Sequence, residues 1–360
     1  MPALRFAGPV LPDGESRTLY VVDGRITHEP VAGAETAASG WIVPGLVDAH
    51  CHVGLGESGA VDDSETEAQA IADRDAGALL LRDCGSPADT RWVQQREDLP
   101  RLIRAGRHIA RTRRYLRNYA DEVEPADLVA AVAVQAERGD GWVKLVGDWI
   151  DRDAGDLAPS FPADAFAAAI ATAHDHGARV TAHCFGHDVL TGLIAAGIDC
   201  IEHGTGLDLG QIEAMATAGT ALVPTVLQIG IFPDLAAQAA PKFPAYAATM
   251  EDLHARRRET LMSAHEAGIP LFAGSDGGGN QRHGILPEEI IALHRLGLPA
   301  EVALGAGSWR AREWLGHHAG LAEGDPADFV VYDADPLADL SVLARPAAVV
   351  LRGRVVGSRC

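Results

Sequence analysis

The stretch GLVDAHCHVG, residues 45–54, follows an apolar run and a Pro-Gly break. In a β-strand, successive side chains point to opposite faces, so His50 and His52 would share one face and Cys51 would take the other. Two imidazoles on one face at the end of a strand are a potential pair of metal ligands. A pair of ordinary loop histidines shows the same spacing, so the rest of the chain must decide between the two interpretations.

The composition indicates a soluble protein with a large core. The chain has 360 residues, of which 47% are hydrophobic and 22% charged, enough for one large domain with or without a small one. Its formal net charge of -20 argues against nucleic acid and anionic membrane surfaces as partners, because both bind basic proteins. No apolar stretch is long enough to predict a transmembrane helix. We therefore expect a small-molecule substrate as the partner, and a homo-oligomer is compatible with the sequence.

The N-terminus and the cysteines bear on the compartment. The first residues lack the apolar centre of a signal peptide. The five cysteines are odd in number and irregularly spaced, which does not predict a disulfide framework. They are Cys51, Cys84, Cys184, Cys200 and Cys360. We therefore predict a cytoplasmic protein.

The middle of the chain alternates apolar strand-like segments with helix-like segments. The predicted strands are 45–50, 78–84, 107–111, 142–146, 179–184, 200–204, 221–225 and 270–275, and the clearest predicted helices are 125–139 and 162–177. Eight such strands with helical segments between them predict an α/β fold, a (β/α)₈ TIM-like barrel, over residues 44–324. A doubly wound open sheet is the alternative, but the glycine-rich dinucleotide fingerprint that would favour it is missing from the sequence.

Both ends of the chain have a different pattern. Residues 1–43 and 325–360 contain short apolar segments with turn signals, such as Asp23-Gly24 and Gly353. We predict that these two segments pair into a small β-sandwich domain beside the barrel.

Further polar residues stand at the C-terminal ends of the predicted strands. They are Lys144 in the fourth strand, His183 and His203 in the fifth and sixth, and Asp276 after the eighth. Barrel enzymes have their active sites at this end, so side chains from distant segments should converge there with the His-x-His pair. A single strand histidine is a weak signal, but this set favours a metal site.

Five stretches carry a resemblance to a known family. They are VPGLVDAHCH, VTAHCFG, AAGIDCIEHGTGLD, LFAGSDGG and GLAEGDPADFVVYDADPLADL, and they extend from about residue 41 to 340. In these stretches the chain resembles the amidohydrolase superfamily of metal-dependent barrel hydrolases, most closely its imidazolonepropionase-like and prolidase-like branch. The resemblance implies that His50, His52, His183, His203 and Asp276 surround the metal.

Lys144 separates two subclasses of that superfamily. Dinuclear members carry a lysine on the fourth strand as a carbamate, an anion that bridges two cations, whereas mononuclear members do not need it. Apolar Val143 and Leu145 flank Lys144 in mid-strand, where an unpaired ammonium would be costly. We therefore predict a carbamate on Lys144 and two divalent metal ions, with zinc as the first choice. A lysine pointing to solvent beside one metal is the alternative.

The predicted reaction is hydrolysis of an amide, peptide or cyclic amide bond by a metal-bridging hydroxide. Asp276 would act as the general base and later as the proton donor to the leaving group. The alternatives are a mononuclear deaminase or imidazolone-type ring hydrolase, a lactonase or phosphotriesterase-like hydrolase, and a barrel that binds a ligand without catalysis.

The substrate prediction depends on a basic run after the third strand. Residues 107–119 contain five arginines and two tyrosines in an otherwise acidic chain. Because arginine binds carboxylates in a bidentate fork, we predict a carboxylate-bearing substrate held by Arg113, Arg114 and Tyr115, with His283 from the eighth loop. A solvated loop with internal ion pairs is an equal alternative. The run also lacks the glycine-histidine motif expected of prolidase-like relatives.

Overall fold

The computed structural model describes residues 2–358, so Cys360 lies outside the described residues. Five strands come before the stretch that carries His50 and His52. They are β1 (Leu4–Val10), β2 (Glu15–Val22), β3 (Arg25–Thr27), β4 (Glu35–Ser39) and β5 (Trp41–Pro44). β1 and β2 form an antiparallel hairpin, and β3 pairs with β2 in the same sense. The turn between β2 and β3 contains Asp23 and Gly24, both with positive φ, as the Asp-Gly signal predicted.

The central strands follow in chain order. They are β6 (Leu46–Gly56), β7 (Gly59–Ala60), β8 (Ala78–Asp83), β9 (Arg101–Arg104), β10 (Ile109–Arg111), β11 (Asp121–Val123), β12 (Trp142–Val146), β13 (Asp148–Asp151), β14 (Asp156–Pro159), β15 (Arg179–Cys184), β16 (Cys200–His203), β17 (Ala221–Val223) and β18 (Gly277–Gly279). The last three strands are β19 (Phe329–Tyr332), β20 (Ala348–Leu351) and β21 (Arg354–Ser358).

The α-helices lie between the central strands and after them. They are α1 (Asp63–Asp75), α2 (Leu128–Arg138), α3 (Ala163–Asp175), α4 (Leu190–Ala195), α5 (Leu209–Ala218), α6 (Val226–Ile229), α7 (Phe232–Ala239), α8 (Pro244–Glu266), α9 (Leu286–Arg295), α10 (Ala300–Ala306) and α11 (Trp309–Trp314). Three short 3₁₀ helices cover Arg91–Gln95, Pro125–Asp127 and Leu340–Ala344. Of the described helices, none is both long enough and apolar enough to cross a membrane.

Most of the central strands pair in parallel, whereas β7 pairs antiparallel with β6, and β13 and β14 form an antiparallel hairpin. In one sheet β6 pairs with β8 and β8 with β9. A second sheet runs from β10 through β12, β15 and β16 to β17. β18 pairs with β6, and a parallel bridge joins Leu222 to Leu271. Parallel strands that alternate with helices are typical of a TIM-barrel-type fold. β6 is buried along nearly its whole length, as expected for a strand covered on both faces.

The third and eighth predicted strands differ from the structure. The strand predicted at 107–111 is shortened to β10 (Ile109–Arg111), and a strand that was not predicted, β9 (Arg101–Arg104), precedes it. Gly106, with a φ of 71°, lies in the bend between the two. The segment predicted as strand 270–275 forms only the bridge at Leu271 and is followed by β18. It still lies between neighbours, since Phe272 N donates to Leu222 O at 3.1 Å and Ala49 N donates to Ala273 O at 2.9 Å.

The two predicted helices are confirmed with small shifts of their ends. The segment 125–139 begins as a 3₁₀ turn at Pro125, continues as α2 and ends before Gly139. The segment 162–177 forms α3 after Pro162. Proline at the start of a helix loses no hydrogen bond, because the first N–H groups have no partner within the helix.

Strands from the two ends of the chain share one eight-stranded sheet. Its order is β21-β20-β19-β5-β1-β2-β3, and β4 pairs with β1. One face encloses a hydrophobic cluster in which the rings of Phe6 and Phe329 meet edge to face at 4.8 Å. On the other face, Val43, Val330 and Val349 belong to the large hydrophobic core that includes the central strands. The two ends therefore pair; the two-layer sandwich and the boundaries at 43 and 325 stay predictions.

Candidate metal centre

Three predicted ligands converge beside the middle of β6. His50 Nε2 lies 3.2 Å from His52 Nε2, as the shared strand face predicts. Asp276 Oδ1 is 3.1 Å from His50 Nε2 and 3.3 Å from His52 Nε2. Potential ligand atoms of these three residues all lie within 4.8 Å of one another. Two imidazole nitrogens and a carboxylate oxygen are a donor set suited to a divalent ion such as zinc.

Lys144 lies directly beside this group. Its side-chain nitrogen Nζ is 3.3 Å from His50 Nε2, and the residue is 3% exposed. Within residues 2–358, no carboxylate oxygen lies within 4.0 Å of Lys144 Nζ. An ammonium buried without a counter-ion is unfavourable, whereas a carbamate at this position would be an anion next to the metal ligands. The burial of Lys144 excludes the solvent-pointing alternative.

The two remaining predicted ligands face the same cleft. The rings of His183 and His203 are 4.6 Å apart, and the ring of His203 is 5.4 Å from that of His50. His183 Nε2 is buried and has no hydrogen-bond partner among the described residues. Burial lowers the pKa of His183 well below its usual range and that of His203 to about 3. Both imidazoles are therefore neutral, the form that binds a metal, and the residues present fit the implied metal.

Hydrogen bonds behind the cluster orient three of the histidines through Nδ1. The partner of His50 Nδ1 is Glu202 Oε2 at 2.6 Å, and that of His52 Nδ1 is the carbonyl oxygen of Gly85 at 2.7 Å. His203 Nδ1 lies 2.6 Å from Thr225 Oγ1. A proton held at Nδ1 by such an acceptor leaves the Nε2 lone pair free to bind a metal.

Glu202 is the centre of this supporting network. Its Oε1 accepts from Arg82 NH2 at 2.7 Å and from the hydroxyl of Thr181. The thiols of Cys84 and Cys200 also donate to it, at 3.7 and 3.6 Å. Although burial opposes ionisation, Arg82 holds the pKa of Glu202 well below its usual range. The side chain behind His50 is thus a buried carboxylate with every neighbour donating to it.

The backbone is in the left-handed region at three positions of this site. The φ angles are 66° at His203, 46° at Thr225 and 54° at Asp276. Non-glycine residues adopt such angles at an energetic cost, so the surrounding structure must hold them there. At Asp276 that support includes its N–H, which donates to His50 O at 2.8 Å. The strained positions are thus two predicted ligands, His203 and Asp276, and Thr225, whose hydroxyl contacts His203.

Aromatic side chains form one wall of the cleft. Tyr115, Tyr119, Trp149 and Phe185 line it together with the predicted ligands. The ring of Trp149 is 4.7 Å from that of Tyr115 and 5.3 Å from that of His183. Trp149 lies on the hairpin of β13 and β14, so this hairpin carries part of the wall.

The predicted substrate-binding residues do not stay together in the structure. Tyr115 lines the cleft, but Arg113 is exposed and its backbone N–H donates to Glu122 Oε2 at 2.9 Å. Arg114 is tied to the β13–β14 hairpin, and its NH1 lies 3.0 Å from Asp151 Oδ2. Neither arginine is among the residues that line the cleft.

His283, the fourth predicted substrate residue, lies behind the cleft. It is 8% exposed, and its Nδ1 is 2.7 Å from Asp73 Oδ2 on α1. Asp73 also accepts from Gly284 N at 2.7 Å. In this structure His283 therefore fastens the eighth loop to α1 and does not line the cleft.

Two residues of the site were not singled out from the sequence. Glu202 precedes a predicted ligand and, by strand alternation, belongs to the opposite side, so nothing in the pattern linked it to His50. His108 is buried, lines the cleft and places its ring 5.7 Å from that of His52. Its Nδ1 lies 3.3 Å from the carbonyl oxygen of Gly85, and its Nε2 has no partner among the described residues. A histidine inside the predicted third strand was the available signal.

Comparison with known proteins finds relatives that are similar in sequence and solved structures that have the same fold. Uncharacterized proteins of Mycobacterium tuberculosis and Mycobacterium bovis are each 56% identical over 356 residues, 98% of this chain and 96% of theirs. A Xaa-Pro dipeptidase crystallised with bound methionine has a TM-score of 0.84 at 21% identity, covering 98% of this chain and 99% of its own.

Two further solved structures have the same fold over nearly their full length. A prolidase in complex with N-methylphosphonate-L-proline has a TM-score of 0.80 at 22% identity, covering 99% of this chain and 100% of its own. A. niger ochratoxinase has a TM-score of 0.78 at 17% identity, covering 99% of this chain and 96% of its own. These similarities establish the fold.

The family follows from the sequence itself. The model of the amidohydrolase family matches residues 41–356, which include all six predicted metal-site residues. The chain belongs to the amidohydrolase family and is a hydrolase that acts on carbon–nitrogen bonds.

Proposed function

We propose that the protein is a dinuclear metal-dependent hydrolase that cleaves an amide, peptide or cyclic amide bond of a small molecule. The observation that carries the proposal is the convergence of four side chains, those of His50, His52, Asp276 and Lys144. The Nε2 atoms of the two histidines, Oδ1 of Asp276 and Nζ of Lys144 each lie 3.1 to 3.3 Å from another atom of this group. His183 and His203 complete the proposed ligand set from the facing strands. Zinc suits these nitrogen and oxygen donors.

Bound divalent ions would lower the pKa of water and polarise the carbonyl group of the substrate. In our proposal, Asp276 takes the proton from the attacking water and passes it to the leaving nitrogen. Its carboxylate is suited to this because Oδ1 lies against the Nε2 atoms of His50 and His52, so it is fixed in the reacting region. The aromatic wall would exclude bulk water from the reacting carbonyl.

The carbamate on Lys144 is the part of the proposal that determines the subclass. The sequence contains only two lysines, Lys144 and Lys242, and Lys242 is exposed. This makes a direct spectroscopic test feasible. Protein reconstituted with metal in ¹³C-labelled bicarbonate should show one protected carbamate carbon resonance. The resonance should persist in Lys242→Arg and vanish in Lys144→Ala.

Metal content gives the second measurement. The wild type should hold about two ions per chain, and Lys144→Ala should hold one or none, with activity partly restored by short carboxylic acids that fill the position of the carbamate. A wild type with one tightly held ion and no carbamate signal would support the mononuclear alternative, a deaminase or imidazolone-type ring hydrolase.

The substrate screen separates the remaining alternatives. At least one class among simple amides, N-acyl amino acids, dipeptides and cyclic amides should be hydrolysed, in a reaction abolished by His50→Ala and His183→Ala. Hydrolysis of lactones or phosphotriesters alone would instead favour the lactonase or phosphotriesterase-like alternative. A metal-loaded protein that binds members of this screen but cleaves none would be a non-catalytic barrel.

A further inference from the structure

We infer that the substrate presents a neutral, flat apolar group beside the scissile bond, an aromatic ring in the first instance, and no carboxylate there. This inference rests on the proposed function and names the substrate class for the same site. It replaces the carboxylate-bearing substrate expected from the basic run.

The first observation is the continuity of the aromatic wall with the reacting region. Trp149 is in ring contact with Tyr115 at 4.7 Å and with His183 at 5.3 Å, and His183 in turn meets Phe185 at 4.2 Å. A group attached to a carbonyl held near His183 would therefore lie against ring faces and edges. Such surfaces favour a flat apolar partner.

The second observation is where the positive charges of the third-strand loop are directed. Arg114 donates to the carbonyl oxygens of Trp149 at 3.2 Å and Ala158 at 3.0 Å, and it pairs with Asp151. These bonds use the donors of the guanidinium outside the cleft. They also hold the loop that carries Arg114 against the β13–β14 hairpin. Arg114 thus places its neighbour Tyr115 against Trp149 instead of meeting a substrate anion.

Arg107 is directed away from the cleft in the same manner. It donates to the carbonyl oxygen of Tyr119 at 3.2 Å and lies 3.3 Å from Asp121 Oδ1. Among the described residues that line the cleft, none is an arginine, and the single lysine is Lys144 in the metal cluster. A carboxylate away from the metals would find no cationic partner here, in a chain whose net charge is -20.

Another part of the cleft lining is polar but uncharged. It contains Gln228, Asn280 and Gln281, and Gln281 Nε2 donates to Gln228 Oε1 at 3.0 Å. Primary amides offer both donors and acceptors without charge. Together with the aromatic wall, they suit an amide, carbamate or urea whose substituent is an aromatic or similar apolar group.

Matched substrate pairs test this inference on the metal-loaded enzyme. The first pair is acetanilide and 4-acetamidobenzoate, with the ring on the amine side. The second is N-methyl-phenylacetamide and its 4-carboxylated counterpart, with the ring on the acyl side. In each pair only a remote carboxylate differs. We expect kcat/KM to favour the neutral member at least tenfold in one or both pairs.

The variants then assign the preference to the wall. Trp149→Leu keeps an apolar side chain but removes the ring, and should lower kcat/KM for the preferred neutral substrate about fivefold, the order of one aromatic contact. Tyr115→Leu should act similarly and serves if the first variant folds poorly. Arg152→Met is the matched control, because Arg152 is an exposed arginine at the tip of the same hairpin. It should change kcat/KM by no more than twofold for either member of a substrate pair.

A binding measurement separates this inference from the proposed function. Acetophenone and 4-acetylbenzoate are ketones without a scissile nitrogen, and calorimetry gives their affinities whether or not the enzyme turns over amides. Tighter binding of acetophenone, weakened in Trp149→Leu, would support the inference even if every amide resisted hydrolysis, in which case only the proposed function fails. The inference would be overturned if the carboxylated members had the higher kcat/KM and the tighter binding, and if this preference disappeared in Arg114→Met.

Discussion

Replacing Glu202 with glutamine keeps the shape of the side chain, removes the negative charge behind His50 and turns one of its two hydrogen-bond acceptors into a donor. The side chain is 0% exposed, and its carboxylate is shared between His50 Nδ1 at 2.6 Å and Arg82 NH2 at 2.7 Å. Glutamine has the same shape and can still accept one hydrogen bond. The variant therefore tests whether a charged acceptor, and not only a filled space, supports the proposed metal ligand.

Two effects of different size are expected. Loss of the carboxylate behind a ligand histidine should weaken metal affinity by about 10- to 100-fold, because the imidazole becomes a poorer donor and less firmly oriented. The same change leaves the Arg82 guanidinium, also 0% exposed, without its partner. Breaking a buried ion pair in this way costs about 3–5 kcal/mol of folding free energy.

Two measurements separate these effects. Competition with a chromophoric chelator measures the metal affinity, and urea unfolding of the metal-free protein measures the folding free energy. Glu289→Gln is the matched control for affinity, because Glu289 is equally buried but accepts only from the backbone N–H groups of Val226 and Leu227. The double variant Arg82→Met with Glu202→Gln should regain part of the stability, since no unpaired charge remains, but none of the metal affinity.

The reasoning would be refuted by a Glu202→Gln protein whose metal affinity stays within twofold of the wild type. If the single variant does not fold, Thr225→Val provides the same test at His203, whose Nδ1 lies 2.6 Å from the threonine hydroxyl. It should weaken metal affinity about tenfold. Recovery of metal affinity in the double variant would show that the loss came from unfolding and not from the ligand.

Three further predictions follow from residues around the site. His108→Phe should retain the metal but lose at least about tenfold in kcat/KM, because its unpartnered Nε2 faces the cleft; loss of metal instead would make His108 a ligand. Burial raises the pKa of Glu289 from 4.5 to about 8, so the unfolded chain releases this proton at lower pH than the folded one. The wild type should therefore lose stability relative to Glu289→Gln from about pH 5 to 8, by at most about 5 kcal/mol in urea unfolding, and equal slopes would contradict this. Arg114→Met should lower the free energy of unfolding by about 1–3 kcal/mol, because it removes the hydrogen bond to the carbonyl of Trp149 and the ion pair with Asp151, whereas Arg152→Met should have no measurable effect.

Much of the barrel and its histidines could be predicted because they depend on local periodicity. Strands β12 and β15 have the predicted bounds, and alternation along β6 correctly places His50 and His52 on one face. These features need only the pleat of a strand and the rule that active sites lie at the C-terminal ends of barrel strands. The prediction weakened where the backbone departs from regular geometry, at Gly106 and in the segment that precedes Asp276.

The substrate-binding residues could not be predicted in the same way, because charge in a sequence does not tell where a side chain points. Arg114 and Tyr115 are adjacent, yet one guanidinium is bound to backbone carbonyls while the neighbouring ring lines the cleft. Long-range partners decide this, and they are 35 or more residues away along the chain. The role of Glu202 depends likewise on Arg82, which is 120 residues away.

The sheet shared by the two ends has a consequence for synthesis on the ribosome. β5 pairs with β19, so Val43 finds its partner Val330 only after the whole barrel segment has been translated. Until then one long edge of the N-terminal strands lacks its neighbour, and Phe6 lacks Phe329. Pairings between such distant segments form slowly and leave apolar strands exposed in the meantime. Nascent chains arrested before β19 should therefore be the aggregation-prone species, and chaperones would be needed most at that stage of translation.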